Sequence, residues 1–201
     1  TDQKNYTWYP HEMAYWAYWQ MGNIQKSKEH YDKTLEFNHH RPNFLWDYRF
    51  YYPLPKMTFV LTTMGTRQQG LDRCIESIKN SIYPEELKEV LVIIANRRLG
   101  LAKRLKEGAE KATGEWIIFA SDDVEFTREC IMEAYLEHIR TKKRLVSFNT
   151  GTGLLPNDGY ICEHFMIHKS LIPEIGGEIF DTELGHVGVD QLLWAKCKKL
   201  N

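Results

Sequence analysis

Residues 113–126 combine a short apolar run with a cluster of acids: Thr-Gly-Glu-Trp-Ile-Ile-Phe-Ala-Ser-Asp-Asp-Val-Glu-Phe. The run from Trp116 to Ala120 predicts a buried β-strand, and Asp122, Asp123 and Glu125 follow it directly. Open α/β sheets bind ligands at the carboxyl ends of their strands. Carboxylate oxygens there suit a divalent cation that also binds phosphate oxygens. The segment therefore favours an α/β fold with a cation site, although a solvated acidic turn has the same local pattern.

The composition limits the classes of protein that the chain can belong to. The 201 residues carry a net charge of −1, which argues against a surface that coats nucleic acid. No apolar run is long enough to span a bilayer, and the segment beginning at Thr1 has no signal-peptide pattern. Four widely spaced cysteines form no Cys-x-x-Cys pair, so we expect buried reduced thiols rather than a zinc site. These features predict a globular, cytoplasmic protein with no transmembrane segment.

Residues 1–56 are crowded with aromatic side chains and differ in character from the rest of the chain. Their pattern predicts three helices, over about 10–21, 23–37 and 41–51. The first two resemble one tetratricopeptide repeat, with Gly22-Asn23 in the turn and the small residues Ser27 and Thr34 at packing positions. An ordinary helical hairpin is the alternative. Because a single repeat cannot bury its own apolar face, this appendage is expected to pack on the following domain, on further repeats or on a protein partner.

Residues 57–201 alternate between strand and helix patterns. Strands are predicted over 58–63, 90–95, 116–120, 145–148 and 160–167. Helices are predicted over 71–78, 101–112, 127–140 and 189–199, with Gly114 as the C-terminal cap of the second. Such alternation implies a mainly parallel sheet with helices on both faces.

The turn after the first strand is expected at the same edge of the sheet as the acids. It contains Thr62, Thr63, one glycine and Arg67. Free backbone amides and a guanidinium group are suited to binding a phosphate. Thr62, Thr63 and Arg67 are therefore candidate ligand-binding residues. An ordinary turn that binds no ligand is the alternative, because every strand ends in a turn or loop.

A second basic segment, Asn96 to Lys106, begins the helix predicted after the second strand. Backbone amides and the helix dipole favour an anion at such a helix start. Its cations are Arg97, Arg98, Lys103, Arg104 and Lys106. A solvated basic helix face explains some of them, and we take Arg97 and Lys103 as the candidates for contact with a phosphate.

A loop with two glycines precedes the last predicted helix, in which Asp190 occupies the first turn. Asp190 is placed either to accept a proton from a substrate or to cap the helix. His186 in the same loop is either a metal ligand or a structural histidine. At the acidic segment, Asp123 is the candidate for binding a cation that bridges to a diphosphate, with Mg²⁺ and Mn²⁺ equally suitable.

Taken in order, the motifs of residues 57–199 resemble the family 2 glycosyltransferases, which have the GT-A fold. The resemblance rests on Gly100-Leu-Ala, on Ala112-x-Gly114-Glu followed by the apolar strand and Asp122-Asp123, on Leu71-x-x-Cys-Ile-x-Ser-Ile78, and on Ile175-Gly-Gly with Gly188-x-Asp190. Ser121 stands where the family's Asp-x-Asp motif has its first acid, and Val189 stands where an acid is common.

The resemblance implies transfer of a sugar from a nucleotide-sugar donor, most often a UDP-sugar, with inversion at the anomeric carbon. It implies that Asp123 binds the metal, that Asp122 fills the variable position of the motif and contacts the donor, and that Asp190 is the general base. Asn96 takes the place of a residue that contacts the nucleobase. The acceptor is a glycan or another hydroxyl compound, which the sequence does not identify.

Two other functions agree with parts of this pattern. A nucleotidyltransferase also uses a metal, carboxylates and an α/β sheet, but it would carry a basic glycine-rich loop after the first strand. A catalytically weak scaffold that binds a partner through the N-terminal helices is favoured by Ser121 and Val189. Binding of a nucleotide would distinguish the glycosyltransferase and the nucleotidyltransferase from the scaffold.

Overall fold

A computed structural model of the chain describes residues 5–37, 42–94, 100–148, 164–183 and 189–199. The chain divides into two compact units, one ending at Pro53 and the other beginning at Leu54. Among the residues that the structure describes, no helix has both the length and the hydropathy needed to cross a membrane.

The first unit consists of three helices: α1 (Asn5–Gln20), α2 (Ile24–Leu35) and α3 (Pro42–Tyr51). Helix α1 begins five residues earlier than its sequence pattern predicts and contains Pro10 in its interior. The turn after α1 contains Gly22, whose φ of 72° lies in the left-handed region that glycine adopts readily. Asn23 then caps α2, because its side chain accepts a hydrogen bond from the backbone N–H of Lys26.

Tyr31 of α2 lies at the centre of the first unit and is fully buried. Its ring stacks on Phe44 with 4.3 Å between ring centroids, and its hydroxyl donates to the carbonyl oxygen of Phe44 at 2.8 Å. Ser27 and Thr34, the small residues noted in the sequence, are also buried. Ser27 Oγ donates to the carbonyl oxygen of Tyr15 at 2.7 Å, which ties α1 to α2. Small hydroxyl side chains therefore allow these helices to approach closely.

The second unit is built on a five-stranded sheet. Its strands are β1 (Met57–Thr63), β2 (Lys88–Ile94), β3 (Trp116–Ser121), β4 (Leu145–Ser147) and β5 (Phe165–His168). In the sheet they follow the order β2-β1-β3-β5-β4. Strand β1 pairs in parallel with β2 and β3, whereas β5 is antiparallel to both β3 and β4. The predicted α/β architecture is thus confirmed, with antiparallel pairing confined to β5.

The helices of the second unit are α4 (Gln68–Lys79), α5 (Leu101–Lys111), α6 (Cys130–Thr141), α7 (Leu171–Glu174) and α8 (Val189–Lys198). A 3₁₀ turn, Glu85–Leu87, precedes β2. All seven residues of β1 are buried, as expected for a strand that is covered on both faces.

The two faces of the sheet are covered by different helices. Gly108 of α5 packs directly on Val60 of β1, since a Cβ at this glycine would lie 2.3 Å from a Val60 methyl carbon. On the other face, Tyr135 of α6 meets the ring of Trp116 edge-on, with 6.3 Å between the ring centroids. Because β1 pairs in parallel with β2 and β3, the carboxyl ends of these three strands share one edge of the sheet.

Gly114 does not cap α5, contrary to the sequence-based prediction. The helix ends at Lys111, and Ala112 has an extended backbone with ψ of 130°. A Cβ on Gly114 would lie 2.7 Å from both the carbonyl oxygen of Lys56 and the backbone nitrogen of Thr58. Glycine is required here because the chain passes close to the start of β1.

Candidate functional site

Two adjacent acids follow β3 at the carboxyl edge of the parallel strands. Asp122 is buried, with 4% of its surface exposed, whereas 56% of the Asp123 side chain is exposed. The acids therefore differ in what they offer to a ligand: Asp123 is directly accessible, and Asp122 lies behind it in the protein.

Asp122 is fixed by the end of β1. Thr63 Oγ1 donates to Asp122 Oδ2 at 2.5 Å, and the backbone N–H of Asp122 donates to the carbonyl oxygen of Thr62 at 3.2 Å. The backbone N–H of Gly65 in turn donates to Thr63 Oγ1 at 3.0 Å. A buried carboxylate requires such donors. Thr62 and Thr63 thus hold the acidic turn against the end of β1, and their predicted contact with a ligand stays a prediction.

Asp123 is held through both of its carboxylate oxygens. The hydroxyl of Ser121 donates to Oδ1, and Arg67 Nη1 donates to Oδ2 at 2.8 Å. The hydrogen bond from Ser121 lowers the pKa of Asp123; partial burial acts in the opposite direction, and the bond from Arg67 lowers the pKa further. Both donors favour the charged form of the carboxylate, so Asp123 presents a negative charge at the sheet edge.

Arg67 lies between the two acids. Its Nη1 is 3.7 Å from Asp122 Oδ1 in addition to the 2.8 Å contact with Asp123. The residue immediately precedes α4, and 57% of its side chain is exposed. The structure thus brings together Thr63, Arg67, Asp122 and Asp123, four of the residues that the sequence selected as candidates.

Two further residues shape this site and were not selected from the sequence. Ser121 stands where an acid is expected in the Asp-x-Asp motif, yet its hydroxyl orients Asp123. Gly70 lies in the first turn of α4, and a Cβ there would lie 2.6 Å from the carbonyl oxygen of Asp122. The sequence pattern began the helix at Leu71 and gave no signal for Gly70, because the contact is made with a residue distant in the chain.

The basic helix start is only partly available to a ligand. Lys103 lies in the first turn of α5 and is exposed. Arg104 pairs with Glu107 at 2.6 Å, and Lys106 pairs with Glu178 at 2.5 Å. The predicted concentration of cations is therefore reduced by local ion pairs, and Lys103 remains the candidate in α5.

For four other candidate residues, the structure does not describe the side chain. Asn96, Arg97 and His186 lie outside the described residues. The backbone of Asp190 is described, at the second position of α8, but its side chain is not. The predicted roles of these four residues stay predictions.

The acidic turn has the chemistry of a cation site. Carboxylate oxygens of Asp123 and Asp122 already share a cation, the Arg67 guanidinium, at 2.8 Å and 3.7 Å. Over the described ranges of the chain, no group of three or more His, Cys, Asp or Glu residues converges on one point. A Mg²⁺ or Mn²⁺ ion here would therefore complete its coordination with water and phosphate oxygens, as Mg²⁺ commonly does.

These features define a GT-A-type fold: an open α/β sheet with an acid pair after a central strand and a basic residue after the first. Three-dimensional comparison agrees. A mannosyltransferase, PcManGT from Pyrobaculum calidifontis in complex with GDP-Man and Mn²⁺, matches with a TM-score of 0.56 and 17% identity, over 70% of this chain and 51% of that chain. Residues 1–349 of S. aureus TarS match with a TM-score of 0.56 and 13% identity, over 70% and 54% of the two chains. The same protein in complex with UDP matches with a TM-score of 0.54 and 12% identity, over 69% of this chain and 54% of that chain.

A sequence comparison with protein families agrees with the structural one. Residues 85–181 match the family described as glycosyl transferase family 2, which confirms the resemblance seen in the motifs. A comparison with curated protein sequences finds no significant match. The chain spans about half the length of the structural neighbours it matches. None of these matches bears on the tetratricopeptide resemblance or the protein partner, which stay predictions.

Proposed function

We propose that the second unit transfers a sugar from a nucleoside-diphosphate sugar to a hydroxyl group of an acceptor, with inversion at the anomeric carbon. The observation that carries the proposal is the exposed carboxylate of Asp123, which is fixed by Ser121 and Arg67 at the carboxyl edge of the sheet. The family match over residues 85–181 supports sugar transfer as the reaction class. Neighbours that bind GDP-Man and UDP support a nucleotide-sugar donor, and a UDP-sugar is the first candidate.

The leaving group in this reaction is a nucleoside diphosphate, on which negative charge develops as the glycosidic bond breaks. Cations placed near the diphosphate before the reaction lower the barrier. Arg67 is one such cation. Asp123, with Asp122 behind it, would hold Mn²⁺ or Mg²⁺, which when bound supplies a Lewis acid for the phosphate oxygens. Lys103, exposed in the first turn of α5, adds positive charge at a helix start.

Asp190 is the proposed general base, which takes the proton from the acceptor hydroxyl as that oxygen attacks the anomeric carbon. Asp190 is the second residue of α8, and the family resemblance assigns the general base to this residue. Asp190→Asn is expected to bind the donor normally and to lose sugar transfer, measured as nucleotide release in the presence of acceptor mixtures. Turnover equal to that of the unsubstituted protein would contradict this role.

The central experiment is calorimetric titration with UDP, GDP and their sugars, with and without Mn²⁺ or Mg²⁺. We expect metal-dependent binding that Asp123→Ala abolishes. Glu125→Ala is the matched control, because Glu125 is an exposed acid in the same segment that pairs with Arg73 at 2.8 Å instead of facing Arg67. Unchanged affinity in Asp123→Ala would refute the metal assignment. Absence of binding to every nucleotide would favour the scaffold function. Turnover of a nucleoside triphosphate, measured in a separate activity assay, would favour a nucleotidyltransferase.

A further inference from the structure

The Arg67 guanidinium contacts Asp123 Oδ2, one of the two carboxylate oxygens that would bind a metal ion. Its Nη1 lies 2.8 Å from Asp123 Oδ2 and 3.7 Å from Asp122 Oδ1. We propose that Arg67 is a displaceable counter-ion: its guanidinium blocks Asp123 in the nucleotide-free protein and moves to the diphosphate when the donor arrives. Binding of the metal and of the nucleotide would then be cooperative. This inference rests on the proposed function and adds an order of events within that site.

The contacts of Asp123 allow Arg67 to leave without disordering the acid. Ser121 donates to Oδ1 of Asp123, and Arg67 donates to Oδ2. Loss of the guanidinium therefore frees one oxygen while the other keeps its hydrogen bond. Asp122 behind it is fixed independently by Thr63 at 2.5 Å. The site that Arg67 vacates is already organised for a cation.

The ion pair itself is weak enough to exchange. More than half of each side chain is exposed, and exposed pairs contribute at most about 1 kcal/mol. One of the five guanidinium N–H donors is used on Asp123. A diphosphate offers a bidentate partner that arginine prefers over a single carboxylate oxygen.

Cooperativity follows from charge. A divalent ion that approaches Asp123 in the absence of nucleotide must displace a guanidinium and then share the site with it, and like charges repel at such distances. A diphosphate removes both obstacles because it binds the guanidinium and the metal together. By linkage, the factor by which nucleotide tightens metal binding equals the factor by which metal tightens nucleotide binding.

The test is titration of the 201-residue chain with Mn²⁺ alone, with the free ion measured by electron paramagnetic resonance. Arg67→Ala is expected to bind Mn²⁺ roughly fivefold more tightly than the unsubstituted protein, the ratio that corresponds to the upper range for an exposed ion pair. Arg67→Lys, which keeps the positive charge, should bind Mn²⁺ as weakly as the unsubstituted protein. The matched control is Arg73→Ala, which removes another exposed ion pair of α4, with Glu125 at 2.8 Å, and should leave the Mn²⁺ affinity unchanged. The increase in Mn²⁺ affinity caused by Arg67→Ala should be absent in the double variant Arg67→Ala/Asp123→Ala.

The same titrations are repeated with saturating UDP. The unsubstituted protein should then bind Mn²⁺ more tightly, and Arg67→Ala should show a smaller gain from UDP. Equal Mn²⁺ affinity of Arg67→Ala and the unsubstituted protein without nucleotide would overturn the counter-ion role, as would a gain that persists without Asp123. If UDP binds no variant while the Mn²⁺ result holds, the proposed function and the displacement by diphosphate fail, and the blocking contact alone stands.

Discussion

Replacing Gly70 with alanine tests whether α4 positions the acidic turn. A Cβ at this site would lie 2.6 Å from the carbonyl oxygen of Asp122, which must move by about 0.8 Å to reach the ordinary contact distance of 3.4 Å. Overpacking of this kind costs about 1–3 kcal/mol. Alanine in place of a helical glycine returns about 0.5–1 kcal/mol. The expected net effect on the free energy of unfolding is a loss of up to about 2.5 kcal/mol.

The assay is thermal unfolding of Gly70→Ala, with calorimetric titration by UDP and Mn²⁺ on the same samples. For a protein of this length, the unfolding midpoint should fall by up to roughly 10 °C. Nucleotide affinity should fall about tenfold, since a displaced Asp122 carries Asp123 with it. Gln69→Ala is the control, because Gln69 is the exposed neighbour in the same helical turn and should be tolerated. The reasoning is refuted if Gly70→Ala raises the midpoint and leaves the affinity intact, as helix propensity alone would predict.

Three further predictions concern the side chains of Thr63, Glu89 and Cys74. Thr63→Val should lower the free energy of unfolding by about 1.5–3 kcal/mol in urea titrations, because it removes the donor to the buried carboxylate of Asp122; a change as small as that of an exposed threonine would contradict it. Burial alone would raise the pKa of Glu89, but hydrogen bonds from two threonines lower it to about 2. The charged Glu89 then contributes about 3 kcal/mol to the free energy of unfolding above pH 4.5, and this contribution is lost as the pH falls toward 2. Glu89→Gln should therefore reduce the loss of stability between pH 4.5 and 2 in a series of unfolding measurements. Burial raises the pKa of Cys74 to about 12, and mass spectrometry after thiol labelling at pH 8 should find this cysteine modified only in denaturant.

The strands and helices of the second unit were largely predictable from local patterns. The apolar run at Trp116 to Ala120 and the spacing of Leu71, Cys74 and Ile78 each indicate an element that the structure contains. Burial of one face or both produces such patterns whatever the rest of the fold is. The failures are at glycines and prolines: α1 continues through Pro10, and Gly114 makes a close approach to β1 where a helix cap was expected. At Gly114, contact with the start of β1 outweighs the local preference.

The candidate site was predictable in residue type but not in arrangement. Sequence patterns selected Thr63, Arg67, Asp122 and Asp123, and all four lie together at the carboxyl edge of the strands. The patterns suggested that Thr63 contacts a ligand, which stays a prediction, but they did not reveal its hydrogen bond to Asp122. They treated Ser121 as a defect in the motif, whereas its hydroxyl fixes Asp123.

What the sequence determined by itself is the order of buried and exposed elements, and hence an α/β domain with acids at the end of a central strand. Hydrophobic periodicity is a local property, and it needs no knowledge of distant partners. The tertiary structure decided which acid is buried, which is exposed and which cation lies between them. Those facts depend on two contacts, Arg67 with Asp123 and Thr63 with Asp122, whose partners are separated by 56 and 59 positions in the chain. The contacts form because parallel pairing brings the ends of β1 and β3 side by side.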